Sequence, residues 1–297
     1  MGEKTAEKQK KQAPAPKVSS RQKRMLCDGL SFAAAEAYKL LRTNLLFTLP
    51  EKPCRIIGIT SSVQGEGKST TSVNLAYTIA QTGKKILLIE SDLRLPSLAS
   101  KLGIQGTPGL SNLLVGWDSE RDCLRPSGYF DNWFILPAGD IPPNPSELLG
   151  SDRMQALIRH YEKLFDFIIL DLPPVNIVTD ALVISKWTDG LLLTVRQNYT
   201  DKKAFNACLN QIRKLETKFL GFVMTDSTSG KSSYGKYSKY GKYGKYSKKG
   251  YGYGSYAKSS GKASKQEQAF FDAVTDSMDQ KFEAPEEELY DQSVDIE

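Results

Sequence analysis

The chain has few of the residues that build disulfide frameworks, metal centres or membrane spans. Its four cysteines (Cys27, Cys54, Cys123 and Cys208) show no C-x-x-C spacing, and His160 is its one histidine. Such a pattern argues against disulfide or zinc frameworks and favours a reducing, cytoplasmic compartment. The lone histidine lacks partners for a metal or a catalytic triad, so we expect a solvated histidine on a helix. No apolar run approaches the roughly 20 residues of a membrane span, and no signal segment is recognisable, so membrane association would depend on a partner.

Charge of one sign is nearly missing from some long stretches, because the residues behind the net charge of +6 are grouped in blocks. Residues 1–28 are basic with almost nothing apolar, which predicts a disordered arm that either binds an anionic lipid surface or is merely solvated. Residues 229–265 contain ten lysines and no acid, whereas residues 266–297 contain eleven acids and one lysine. The balanced middle, 29–228, is long enough for one large domain, so both terminal regions are predicted to be tails.

A phosphate-binding loop occupies residues 62–70, with the sequence S-V-Q-G-E-G-K-S-T. It follows an apolar strand pattern at Ile56–Thr60 and precedes a helical pattern at Ser69–Gln81, which is the context that such a loop requires. Ser62 holds the position of the usual first glycine. Lys68 is expected to reach the β- and γ-phosphates, and the Ser69 hydroxyl to ligate Mg²⁺. The predicted nucleotide-binding residues are Gly65, Glu66, Gly67, Lys68, Ser69 and Thr70.

Three acids follow apolar strand patterns and are the predicted catalytic carboxylates. Glu90 and Asp92 come after Lys85–Ile89, and Asp171 comes after Phe167–Leu170. Ligands bind beyond the carboxyl ends of parallel strands, so these acids should meet the phosphates there. Asp171 is expected to help hold Mg²⁺, while Asp92 and Glu90 position the metal and accept a proton from an attacking hydroxyl. The predicted metal ligands are Ser69, Asp92 and Asp171, and the predicted catalytic set is Lys68, Glu90, Asp92 and Asp171.

The remaining pattern alternates strands with helices, which predicts a P-loop α/β fold with a mostly parallel sheet covered by helices on both faces. Further strands are predicted at Asn132–Leu136, Gly190–Val195 and Phe219–Met224. Further helices are predicted at Ser31–Leu46, at 146–161 with Ser146 as its cap, and at 200–215.

The first helix carries Glu36, Lys39 and Arg42 along one side, at intervals of three residues. Either these residues form a charged, solvated face, or they make a charge-complementary contact with a neighbouring subunit.

The segment 229–265 is rich in tyrosine, glycine, lysine and serine, without an aliphatic partner for its aromatic rings. It cannot be a core. The segment could stack on single-stranded nucleic acid, form a sticky low-complexity tract, or present phenol hydroxyls as substrates of the ATP site in the same chain. Phosphorylation would reverse the charge of a basic tail. The candidate acceptors are Tyr234, Tyr237, Tyr240, Tyr243, Tyr246, Tyr251, Tyr253 and Tyr256.

Together these residues resemble the bacterial tyrosine kinases, specifically the stand-alone cytoplasmic kinases of Gram-positive polysaccharide export. The resemblance covers about residues 30–256. Its markers are the first helix, the loop G-E-G-K-S-T, D-L-R-L-P from Asp92, P-P-N-P-S-E-L-L from Pro142, D-x-P-P from Asp171 and the tyrosine cluster. The loop and the strand ends are shared with partition and septum-placement ATPases, so the turn and the cluster make the match specific.

The resemblance implies a protein tyrosine autokinase that uses ATP and Mg²⁺. It implies a homo-oligomeric ring formed through Glu36, Lys39 and Arg42, in which each subunit phosphorylates the tail of its neighbour. It further implies activation by a separate transmembrane polysaccharide co-polymerase, reversal by a phosphatase, a location at the inner face of the plasma membrane, and control of capsule or exopolysaccharide chain length. No nucleic-acid partner is expected.

The sequence departs from the family pattern in three places. Glu90 replaces the usual aspartate, Lys39 replaces the middle arginine of the ring helix, and residues 257–297 follow the cluster. A partition-type ATPase whose basic tail binds nucleic acid or membrane is the alternative, although residues 61–66 lack the extra lysine that such ATPases generally carry. A catalytically weakened assembly component is a second alternative.

Overall fold

The protein was analysed as a computed structural model that describes residues 26–226. Seven strands form one sheet in the order β3-β4-β2-β5-β1-β6-β7, and every neighbouring pair is parallel except β3 with β4. The strands are β1 (Arg55–Ser61), β2 (Ile86–Glu90), β3 (Arg125–Pro126), β4 (Trp133–Leu136), β5 (Phe167–Asp171), β6 (Gly190–Arg196) and β7 (Phe219–Thr225). This arrangement confirms the predicted fold class.

Nine α-helices and one short 3₁₀ turn at Cys27–Gly29 connect the strands within the described residues. The helices are α1 (Phe32–Thr48), α2 (Lys68–Ala80), α3 (Leu98–Leu102), α4 (Leu110–Val115), α5 (Glu120–Cys123), α6 (Pro145–Gly150), α7 (Asp152–Tyr161), α8 (Asp180–Ser185) and α9 (Lys202–Ile212). No helix in residues 26–226 combines the length and apolarity that crossing a bilayer requires.

Two hydrophobic cores cover the two faces of the sheet, because successive strand residues point to opposite sides. Ile57 and Ile59 of β1 join the core beneath α1 and α2, whereas Ile56 joins the core beneath α4 to α9. The central strands β1, β2 and β5 are buried along almost their whole length, as continuous apolar runs predict for a parallel sheet with both faces covered.

The amino-terminal boundary differs slightly from the sequence interpretation. Leu26 and Cys27, which fall within the predicted arm, are buried in the core beneath α1 and α2. The Cys27 amide donates to Asn74 Oδ1 of α2 at 2.7 Å.

One predicted helix is two helices. The chain breaks at Ser151, which caps α7 by accepting a hydrogen bond from the Met154 amide, so the prediction that Ser146 caps a single helix through Tyr161 is wrong. Serine is a favoured helix cap, so the sequence offers both Ser146 and Ser151 for this role. The separate α6 turn at Pro145–Gly150 leaves Ser151 as the cap of α7.

His160 is less exposed than expected. Its side chain is 20% accessible, its Nε2 lies 3.7 Å from Glu120 Oε2, and burial lowers its pKa. All four cysteines are free and buried.

Candidate active site

The phosphate loop joins the end of β1 to the start of α2, where a helix amino terminus faces the cavity. Gly65 (φ 85°) and Gly67 (φ 94°) adopt left-handed backbone conformations that disfavour side chains. A Cβ atom at Gly67 would also come within 3.2 Å of the Thr225 side chain. The two glycines therefore allow the main chain to turn its amides toward a phosphate while β7 packs behind the loop.

The loop is held from behind by its own glutamate. Glu66 is fully buried; its Oε2 accepts from the Val63 amide at 2.9 Å, and its Oε1 accepts from the Thr200 hydroxyl. The Thr225 hydroxyl donates to the Glu66 carbonyl at 2.7 Å. The Glu66 carboxylate thus points into the protein, so this residue can offer a nucleotide only its backbone.

Lys68 forms a buried ion pair across the cavity, with its Nζ 2.8 Å from Asp92 Oδ2. Burial alone would lower the pKa of Lys68, but the carboxylates of Asp171 and Asp92 outweigh it and raise the pKa, so the ammonium is charged. The other oxygen of Asp92 accepts from the Leu95 amide at 3.1 Å. The structure brings these two predicted residues together. The Lys68 ammonium can exchange its partner Asp92 for a phosphate.

Asp171 ends β5 beside the loop and is fully buried. Its Oδ1 accepts from the Ser72 hydroxyl at 3.1 Å, whereas its Oδ2 has no hydrogen-bond partner within residues 26–226. A buried carboxylate oxygen without a donor fits a divalent cation, because hard cations bind oxygen. Residues 26–226 contain no cluster of three or more His, Cys, Asp or Glu able to hold a metal ion alone. Nucleotide phosphates would therefore have to complete the coordination.

Two residues that sequence reasoning missed, Ser97 and Lys101, extend the site. Ser69 Oγ lies 3.2 Å from Ser97 Oγ, which accepts from Lys101 Nζ at 2.5 Å. Burial lowers the pKa of Lys101, and the nearby Lys68 acts in the same direction, while Asp171 opposes them. The hydrogen-bonded chain fixes the Ser69 hydroxyl and places a second lysine in the cavity.

Glu90 does not face the cavity as expected. Its Oε1 accepts from the backbone amides of Ser97 and Leu98, the latter at 2.6 Å, and its Oε2 lies 3.4 Å from the Ala138 amide. Burial raises its pKa, and the amide donors oppose that effect. This geometry corrects the expectation that Glu90 accepts the proton of an attacking hydroxyl, because the carboxylate is committed to the amides that begin α3.

Arg94 connects the second motif to the proline-rich turn. Its Nε and Nη2 bind the two oxygens of the buried Asp180 at 2.8 and 3.1 Å, and Nη2 also donates to Ser146 Oγ at 3.2 Å. Ser146 in turn donates to Asp180. Ser146 therefore ties the start of α6 to α8 and to the loop after β2, a role different from the predicted helix cap.

The cavity at the carboxyl edge of the sheet has a volume of about 410 Å³. Lys68, Ser69, Thr70 and Asp92 line one side of it, and Lys101 lies on the same cavity. The predicted acceptor tyrosines, from Tyr234 to Tyr256, lie outside the described residues, as do residues 1–25 of the predicted arm and the acidic tail.

The predicted oligomer residues lie on α1, away from the cavity. Lys39 pairs with Glu36 at 2.7 Å, and both side chains are more than 40% exposed. Arg42 instead donates through Nη1 to the Thr78 carbonyl of α2. Glu36 and Lys39 are thus accessible, while Arg42 contributes to packing within the chain.

Comparison with known proteins agrees with this geometry. The AAA domain family matches residues 54–222. The tyrosine-protein kinase YwqD of Bacillus subtilis is 36% identical over 204 residues, spanning 68% of this chain and 85% of that protein. The tyrosine-protein kinase CpsD of Streptococcus agalactiae is 35% identical over 206 residues, or 67% and 85% of the two chains. A longer relative, the tyrosine-protein kinase wzc of Salmonella typhi, is 31% identical, but the match spans 28% of its length.

Solved structures give the same relationship. The kinase domain of the Escherichia coli tyrosine kinase ETK superposes with a TM-score of 0.64 at 30% identity, covering 69% of this chain and 82% of that one. The chimerical protein CapA2B2 gives a TM-score of 0.64 at 31% identity, covering 71% and 92%. Together with a phosphate loop whose Lys68 and Asp92 line one cavity, these similarities show that the chain belongs to the bacterial tyrosine-protein kinases.

Proposed function

We propose that the chain transfers the γ-phosphoryl group of Mg·ATP to tyrosines of the 229–265 segment of another copy of itself. The observation that carries this proposal is a cavity lined by Lys68, Ser69 and Asp92, with the buried Asp171 close to Lys68 and one Asp171 oxygen without a hydrogen-bond donor among residues 26–226. The kinase names of the relatives support tyrosine as the acceptor. The tyrosine cluster in the same chain supports self-phosphorylation.

The phosphates would be bound by the backbone amides of the loop and by the Lys68 ammonium. Lys68 must leave Asp92 to reach a phosphate, because its Nζ is engaged by that carboxylate at 2.8 Å. The same movement frees Asp92 Oδ2, which then accepts the phenol proton while the oxygen–phosphorus bond to tyrosine forms and the bond to ADP breaks. A phenol has a pKa of about 10, so a nearby carboxylate suffices as base. Alignment and charge neutralisation supply most of the catalysis.

The divalent cation would be held by Ser69 and Asp171, with Asp92 close by, and it would neutralise charge that develops on the phosphates. Ser69 is preorganised for this role, because its hydroxyl is fixed by Ser97 and Lys101. Glu90 serves as a positioning residue that holds the segment carrying Ser97.

Transfer between subunits of a ring would involve the exposed Glu36 and Lys39 on α1, with Arg42 bracing the helix against α2. We further propose that a separate transmembrane protein activates the kinase and brings it to the inner face of the plasma membrane. The match covers 28% of the length of the Salmonella kinase, which supports the participation of a further polypeptide segment in the activity of such kinases. A phosphatase would reverse the modification, and the cycle would regulate capsular or exopolysaccharide synthesis.

The test is mass spectrometry of the full chain after incubation with Mg·ATP, comparing wild type with Lys68→Met and Lys84→Met. Lys84 is a matched control because, within residues 26–226, its exposed side chain pairs only with Asp166, at 3.4 Å, and it does not line the cavity. We expect phosphotyrosine in wild type and Lys84→Met and none in Lys68→Met. Phosphotyrosine in Lys68→Met at the wild-type level would contradict the proposal.

Transfer between copies is tested by mixing the wild type with a size-tagged Lys68→Met chain. Phosphotyrosine on the tagged chain is expected, and modification confined to the untagged chain would show transfer within one molecule. A partition-type ATPase, the rival function, would hydrolyse ATP without producing phosphotyrosine on either chain.

A further inference from the structure

The cavity has a second wall that phosphates do not explain. It is formed by Leu95, Pro173, Pro174, Ile177 and Val178, which line the same cavity as the loop residues. The Leu95 side chain is 62% exposed and that of Ile177 is 58% exposed. Large aliphatic side chains held in the open beside a charged site leave apolar surface in water, which favours an apolar occupant.

Part of this wall lies directly beside the Asp92 carboxylate. Asp92 Oδ1 accepts from the Leu95 amide at 3.1 Å, so one short turn carries both the carboxylate and the exposed leucine. Pro173 follows Asp171 by two residues, and the Thr60 hydroxyl donates to the Pro173 carbonyl at 2.7 Å, which fixes this part of the wall to β1. A molecule that places a hydroxyl at Asp92 would therefore have Leu95 beside it, in the cavity that Ile177 also lines.

We propose that Leu95 and Ile177 form a shelf for the aromatic ring of the acceptor tyrosine, supplied by the 229–265 segment of a second copy. This inference rests on the proposed function and names its acceptor subsite. The ring would lie on the shelf while its hydroxyl reaches Asp92. There the proton passes to the carboxylate, the phenol oxygen bonds to the γ-phosphorus, and ADP leaves with the electron pair of the broken bond.

The shelf explains selection within the segment itself, which contains many serines among its tyrosines. A serine hydroxyl lies one carbon from the backbone and has no ring to bury, so it gains nothing from Leu95 and Ile177. A tyrosine buries its ring and extends its hydroxyl well beyond the backbone. A preference for phenol over serine hydroxyls follows from the apolarity of this wall.

Charge at the mouth of the cavity also suits this occupant. Asp180 contributes most to raising the pKa of Arg94, and the exposed Glu147 is close enough to add to that effect. Arg94 is already engaged by Asp180. Because Arg94 lines the cavity, Glu147 leaves a carboxylate near this part of the site, which complements a segment with ten lysines and no acid.

The experiment uses full-length chains. The enzyme carries serine at the eight cluster positions, so that its own tail cannot occupy the shelf, and the acceptor is the Lys68→Met chain with its tyrosines intact. Leu95→Ser and Ile177→Ser are introduced separately into the enzyme, with Ile141→Ser as the matched control because Ile141 is 67% exposed and does not line the cavity. All four proteins are first compared by thermal unfolding.

We expect each shelf substitution to raise the KM for the acceptor chain about tenfold, since burying a large aliphatic side chain against a ring is worth that order of affinity. The dissociation constant for ATP should stay unchanged, and Ile141→Ser should behave as the unaltered enzyme.

An unchanged acceptor KM in both shelf variants would overturn the proposal. A weaker affinity for ATP would also overturn it, because the wall would then belong to the nucleotide. Phosphorylation of the serines on the enzyme's own tail would refute the account of selectivity. If the unaltered enzyme leaves no phosphotyrosine on the acceptor, the proposed function itself fails, an outcome distinct from a change confined to the shelf variants.

Discussion

Replacing Glu90 separates a positioning role from a catalytic one, because the two roles predict opposite results for the same variant. Glu90→Gln keeps a carbonyl oxygen where Oε1 accepts from the Ser97 and Leu98 amides. It also removes the unfavourable burial of a charge that raises the pKa of Glu90. We expect its free energy of unfolding to stay within about 1 kcal/mol of wild type. A general base, in contrast, could not be replaced by an amide.

Glu90→Ala is expected to be much more harmful. It leaves the Ser97 and Leu98 amides without their acceptor and removes the longer contact with the Ala138 amide. A buried donor without a partner costs about 1–3 kcal/mol, so we expect a loss of about 2–4 kcal/mol after partial hydration of Ser97. Urea unfolding measures the stabilities, and phosphotyrosine yield under Mg·ATP measures activity. Activity close to wild type in Glu90→Gln is the expected result. Loss of phosphoryl transfer in a stable Glu90→Gln protein would refute the assignment.

The remaining predictions concern pH, the second lysine and the first helix. Because the pKa of folded Glu90 is raised, its contribution to stability is greatest when it is protonated, below the pKa of the unfolded chain. This stabilising contribution is lost as the pH rises through the higher pKa of the folded state. The free energy of unfolding of wild type relative to Glu90→Gln, measured with urea, should therefore fall over that pH range. Lys101→Met should raise the Mg²⁺ concentration for half-maximal activity several-fold, because Ser97 loses its donor. It should also weaken Mn²⁺ binding in the nucleotide complex, measured by electron paramagnetic resonance. Unchanged binding would argue against the hydrogen-bonded chain from Lys101 through Ser97 to Ser69. Asp171→Asn should weaken Mn²⁺ binding further, because it removes the charge of the carboxylate without changing its size. Arg42→Ala should destabilise the monomer by about 1–2 kcal/mol, because it removes the contact with Thr78, in addition to any effect on oligomer size measured by light scattering.

The sequence was sufficient for the fold because the apolar strands β1, β2 and β5 are buried on both faces, and such runs depend little on details of packing. The same is true of the phosphate loop, whose glycines and flanking elements are local in sequence. The gathering of Lys68, Asp92 and Asp171 followed from one rule, that parallel strands end at a common edge.

The errors arose where tertiary packing decides the direction of a side chain. Glu90 and Asp92 were expected to project together because they are two residues apart, but β2 ends at Glu90 and the chain leaves the sheet before Asp92. Lys101 lies on a helix of five residues, too short to give a periodic pattern, so its approach to Ser97 could not be read from spacing.

The most direct test of the central claim is phosphotyrosine mass spectrometry on the full chain incubated with Mg·ATP, with Lys68→Met alongside. We expect phosphotyrosine at positions among Tyr234 to Tyr256 in wild type and none in Lys68→Met. ATP turnover without phosphotyrosine in wild type, or modification that survives in Lys68→Met, would contradict it.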